Sequence, residues 1–245
     1  MLLRRVSKHV KDQNWAAVIL DFAIVVVGIL IAFQITSWSE ARQDRRDEQR
    51  YLSELAVNLE ADLVQARAGQ QVSLQRLSAA EAILAEAAPG YDRPPFFGPL
   101  EGDPPPLGVF GDYPYAHLTS YYFMIISSST FEELIQTGNI GVLSNRALVK
   151  DLTDYYHRLD RQRGDDGLIL AQAEGMLDWA RVNGVGMGDR ATLEDTVSRA
   201  RDDEEFLGFV KMAGFLAYWQ YGSLASIEAE AEALLAAVEA EVSAR

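Results

Sequence analysis

The 245-residue chain has no cysteine, which removes disulfides, thiolate metal sites and cysteine nucleophiles at once, so its stability must come from packing. Lysine is nearly as scarce: beyond the N-terminal tail only Lys150 and Lys211 remain. The first 38 residues carry Arg4, Arg5, Lys8 and Lys11 against Asp12 and Asp21, so a net charge of −14 leaves the rest at −16. A body that acidic repels phosphate backbones, and no nucleic-acid partner is expected. Proline is absent outside Pro89 to Pro114. Three histidines, His9, His117 and His157, each stand alone, without the spacing of a zinc site.

Recognisable catalytic patterns are missing too. "GVGMG" follows a helical stretch instead of a strand, and no G-K-[ST] follows it, so it reads as an interhelical turn. "SSST", Ser127 to Thr130, has no nucleophile-elbow context, and no EF-hand spacing occurs. "RDDEEF", Arg201 to Phe206, reads as a helix cap followed by acids that suit the helix dipole. No cofactor, metal or catalytic residue is assigned.

One long hydrophobic run is present. From Ala16 to Phe33 every residue except Asp21 is apolar or glycine, with Trp15 before the run and Trp38 after it. As helix the run spans about 27 Å at roughly 1.5 Å per residue, close to the ~30 Å hydrocarbon core. Trp15 and Trp38 fit the interfacial aromatic belts. A cleavable signal peptide is the rival, with Ser37-Trp38-Ser39 as a small-x-small triplet; the run is longer than the usual ~7 to 15 residues, and an uncleaved anchor is expected. Basic residues are balanced across the run: Arg42, Arg45, Arg46 and Arg50 match the four before it. Acids among the second group and the lysine-poor body favour an inside N-terminus and a periplasmic main domain.

At 100° per residue Ala17, Asp21, Gly28 and Ala32 share an arc of about 60°. Such a seam lets a neighbouring backbone approach, and a polar group on it faces that neighbour instead of lipid. Asp21 alternatively lies close enough to the Trp15 interface to be hydrated. Homo-oligomerisation or association with another membrane protein is the partner expectation.

The remainder reads as all-α. Leu52, Leu55, Leu59, Leu63, Ala66, Leu77, Ala80 and Leu84 recur at helical spacing, predicting a stalk helix continuous with the membrane segment and ending near Ala88, about 75 Å from Trp38 at roughly 1.5 Å per residue. Gly69-Gln70-Gln71 is expected to kink or loosen it. The Pro/Gly-rich stretch 89–116 excludes helix or central strand; it is too apolar for a linker, and lies along the bundle or serves as a docking arm. "YYFMIIS", Tyr121 to Ser127, is strand-like in composition but is assigned to helix because it leads into Thr130-Phe131-Glu132-Glu133, which has the form of a capping box. Gly138 stops that helix, and Ser144 or Asn145 caps the next. Leu148, Leu152, Tyr155 or Tyr156, Leu159, Leu170, Leu177 and Ala180 mark the buried face of that helix, with weakening at Gly164 to Gly167. A last helix runs from about Asp203 to Val242. The expected architecture is a basic tail (1–14), a transmembrane helix (15–38) and an extramembrane antiparallel helical bundle (39–245).

"VVVGILIAFQITSWSEAR", Val25 to Arg42, with "STFEELIQTGNIGVLSNRALVKDLTDYY", Ser129 to Tyr156, resembles an uncharacterised family of bacterial single-pass membrane proteins, a domain of unknown function. In that family an acid stands at the position of Asp21, and asparagines are common where this chain has Ser37 and Ser39. The resemblance implies a membrane-anchored helical domain and carries no activity. The functional expectation is therefore a non-catalytic interaction or scaffold subunit of the bacterial envelope. Its alternatives are a ligand-sensing domain that signals through a partner and a carboxylate-based hydrolase.

Overall fold

The structure is a computed structural model that describes residues 15–91, 104–109, 111, 113–186 and 189–244; the side chains of 15–18 and 165 are outside the description. The basic tail and half of the Pro/Gly-rich stretch also fall outside it. Among the described residues six α-helices occur in order: α1 (Trp15–Ala87), α2 (Pro114–Leu118), α3 (Ser129–Gln136), α4 (Arg146–Val182), α5 (Leu193–Asp202) and α6 (Glu204–Ser243). Two 3-10 turns, Leu107–Val109 and Asn139–Val142, complete the elements, and no strand is present among the described residues. The fold is all-α.

The chain divides into two compact units, Met1–Arg50 and Tyr51–Arg245. In the first, every described side chain from Ile19 to Arg46 is exposed, Ile24, Ile29 and Phe33 included. This helix is long and apolar enough to cross a membrane. Thr36 donates its hydroxyl to the Ala32 carbonyl at 3.0 Å, so this polar group near the end of the run is satisfied within the helix.

In the second unit the long helices pair by residue. Arg67 with Glu228, Ser73 with Gln220, and Gly214 against Ala80 set α6 antiparallel to α1. Asn145 with Glu241, Arg158 with Glu230, and Trp179 with Asp203 set α6 antiparallel to α4. Between α1 and α4 the chain returns in the opposite sense, with Tyr121 near Arg76, Ser127 bonded to Asp62 and Glu133 bonded to Tyr51. The result is a bundle of four antiparallel legs, one of which is not a helix.

That leg is Tyr121–Ser128, which is extended, not helical as its lead into Thr130 suggested. Ile125 and Phe123 point outward while Met124 and Ile126 pack on the core, a period-2 alternation. Length explains the fit. From Asp62 to Arg76, α1 rises roughly 21 Å at ~1.5 Å per residue, and Ser127 back to Tyr121 covers about 20 Å as extended chain at ~3.4 Å per residue. The capping box at Thr130 and Glu133 does not form; α3 begins two residues earlier, behind Ser128, and Thr130 is buried in its first turn.

Other expectations are met or shifted locally. Gly138 adopts φ 73°, a left-handed conformation, just after α3. Asn145 caps α4, accepting from Ala147 and Leu148 N–H at 3.0 and 3.1 Å. Gly164 to Gly167 do not break α4. Its distal face turns by one position: Leu170 and Leu177 are exposed, while Ile169, Ala173, Met176 and Trp179 are buried with Ala180. Asp203 caps α6. Helix α5 was not anticipated, although Thr192 and Asp195 form a complete capping box at its start. Leu107 and Tyr115 bury themselves in the core, and the short turn and helix there correct the view that this stretch is wholly irregular.

Candidate functional site

The core is two apolar clusters. One gathers Leu52 to Ala66 of α1, Phe131, Leu134, Leu143, the first half of α4 and Leu224 to Val238 of α6. The other gathers Ala79 to Leu84, Leu118, Met176 to Ala180, Val197 and Phe206 to Ala213. Every long helix passes from one to the other through a polar residue: Ser73 and Arg76 on α1, Gln172 on α4 and Gln220 on α6, all buried. A polar layer thus divides the bundle.

Gln220 of this layer also helps hold the extended leg, together with polar groups of the first cluster. A half-buried segment without helix or sheet must satisfy its inward-facing N–H and C=O groups by other means. Asp62 accepts from Ser127 N–H at 2.8 Å, Gln220 donates to the Tyr122 carbonyl at 2.7 Å, and Tyr156 donates to the Ser127 carbonyl at 3.3 Å. Gln65 accepts from the Tyr122 hydroxyl at 2.6 Å. Gly69 belongs to the same arrangement. A Cβ there would meet Leu224 at 2.6 Å and the Tyr122 ring at 2.7 Å, so this glycine marks close packing instead of a kink.

Two buried ionisable groups stand on this face of α1. Asp62 is fully buried and also accepts from Tyr155 Oη at 3.1 Å. Burial pushes its carboxyl above the ordinary range, and the Ser127 and Tyr155 hydrogen bonds offset part of that rise. Tyr155 and Tyr156 are held neutral, chiefly by burial. Arg76 is 0% exposed and lies over the Tyr121 ring at 4.6 Å. Nη1 donates to Gln220 Oε1 at 3.3 Å, whereas Nε and Nη2 are buried without partners. Burial lowers Arg76 to about 10, so it stays charged at neutral pH. Charge-bearing helix residues read from spacing alone give no sign of this: Arg76 sits among Leu77, Ala79 and Ala80, and only its place on the buried arc could have marked it.

The residues assigned from sequence lie elsewhere. Asp21, Gly28 and Ala32 share one exposed face of α1, and beyond the adjoining residues and the helix's own backbone nothing comes within 4 Å of a Cβ built on Gly28. Trp15 and Ala17 belong to the helix, with side chains outside the description. Trp38 is exposed, with the Arg42 guanidinium 5.7 Å from its ring. His157 lines a cleft of about 220 Å³ with Glu132 and Asp160. Among the described residues no three His, Cys, Asp or Glu side chains are grouped to hold a metal ion.

Residues 21–86 match the model of a family of unknown function, DUF6090. The DUF6090 match takes in the apolar run from Asp21 onward and the buried face of α1, Asp62 and Arg76 included. The "TFEELIQTGNIGVLSN" stretch lies beyond it. No curated protein and no solved structure matches the chain.

Proposed function

We propose that the chain is a non-catalytic, single-pass anchored protein of the bacterial inner membrane, whose periplasmic helical domain serves as an interaction or scaffold subunit. The observation that carries this reading is the uncovered apolar helix. In water each large apolar side chain left exposed forgoes about 1.5–3 kcal/mol of burial, and soluble monomers rarely display contiguous apolar surface of this extent. A bilayer removes that cost. The acidic, lysine-poor body supports the periplasmic side.

Association through the Asp21, Gly28 and Ala32 face follows from the same surface: small residues permit close helix approach, and an acid there gains from a polar neighbour. Crosslinking in native membranes should give one defined adduct, with itself or a partner. Asp21→Leu and Gly28→Leu should each deplete that adduct. A chain that stays monomeric and uncrosslinked in membranes would contradict the interaction role.

A further inference from the structure

Three buried donors in the polar layer lack acceptors: Nε and Nη2 of Arg76 and Nε2 of Gln172. They belong to one chain of contacts. Arg76 stacks on Tyr121, and Tyr121 Oη donates to Gln172 Oε1 at 3.1 Å. Buried groups of this kind are nearly always satisfied, and an unpaired buried charge is among the costliest. Among the described residues no carboxylate pairs with Arg76. What is missing is an acceptor, and a negative one suits best.

Gln172 also lines a groove of about 670 Å³ between α4 and α6, with Leu168, Phe209, Met212 and Leu216. That volume lies within the roughly 300–1,000 Å³ of small-molecule sites. Leu168 and Met212 are exposed along it, and Glu205 stands on its lining. We propose that this groove binds an amphiphilic monocarboxylate, its apolar chain along Leu168, Phe209 and Met212 and its carboxylate on Gln172 Nε2 and Arg76. Tyr121 must swing off the guanidinium for the carboxylate to reach it, which makes Tyr121 the gate. Arg76 then offers Nε and Nη2 as a fork for the two carboxylate oxygens. Glu205 disfavours polyanions.

The test uses the full chain in phosphatidylcholine nanodiscs, with octanoate as the probe and octanol as its uncharged match. Octanoate should raise the melting temperature of the helical domain in a concentration-dependent way, because a ligand of the folded state stabilises it, and octanol should not. Arg76→Met should lose the octanoate response while melting no lower than the parent, since an apolar side chain of similar size replaces an unpaired buried charge. Should that variant fail to fold, Ala171→Trp fills the groove from its exposed lining and must abolish the response by itself. A flat octanoate response in the parent chain, an equal response to octanol, or a response retained in Ala171→Trp would each overturn the proposal.

Discussion

Asp62 is a buried carboxylate whose neighbours are neutral donors. Its raised folded-state value means that the folded chain binds more protons than the unfolded chain at pH above the ordinary aspartate value, 3.8. Stability from this group is therefore present below 3.8 and is lost as pH rises through the folded-state value. Asp62→Asn keeps an acceptor for Ser127 and removes the charge. Denaturant melts across pH 4 to 8 should show a shallower pH slope for the variant, with its advantage over the parent growing toward neutral pH. Glycines provide a second comparison. Gly164→Ala, in open space on α4, should gain about 0.5–1 kcal/mol from helix propensity. Gly69→Ala should instead lose stability, because overpacking against Leu224 and the tethered Tyr122 ring costs about 1–3 kcal/mol and outweighs the propensity gain. The same denaturant titration reads both. Nothing in the local sequence separates these two glycines; only partners distant in the chain, Tyr122 and Leu224, do.

Elements were legible where the signal is local. Gly138, Asn145 and Asp203 act at the positions their chemistry indicates, because a cap needs only its next two or three N–H groups. Asp203 accepts from Glu205 and Phe206 N–H at 2.9 and 3.0 Å and from Trp179 Nε1 at 2.9 Å. Asp203→Ala should cost about 1–2 kcal/mol in thermal or chemical melts, with the loss felt at both α4 and α6. These hydrogen bonds hold its carboxyl below the usual range, so this contribution is present above the ordinary aspartate value and fades as pH falls through the folded one. The extended leg was harder to see. Tyr121 to Ile126 is a run of aromatic and β-branched residues around Met124, yet no strand pairs with it among the described residues; Asp62, Gln65 and Gln220 take the place of a sheet. Side-chain hydrogen-bonding groups contributed by distant helices leave no periodic trace. The misplaced face of α4 has a similar origin: Leu170 and Leu177 are more hydrophobic than Ala173, but packing against Phe206 selects Met176 and Trp179.

The whole molecule joins an exposed apolar helix to a bundle stabilised without disulfides by two apolar clusters and a polar layer. All-α class and the apolar segment were readable because both rest on composition and period. The polar layer was not, since it depends on which residues of three helices and one extended leg share a level. Membrane placement is the claim on which the proposed role depends, and the cysteine-free chain allows it to be read directly. Single cysteines at Val26 and Ile29, and at the exposed Asp151 and Glu239, are treated with a membrane-impermeant maleimide in cells with a permeabilised outer membrane. The expected result is protection at Val26 and Ile29, persisting after the inner membrane is opened, with full labelling at Asp151 and Glu239 before it is opened. Labelling of Val26 and Ile29 as readily as Glu239 would contradict a bilayer-spanning helix, and labelling of Asp151 and Glu239 only after opening would contradict a periplasmic domain.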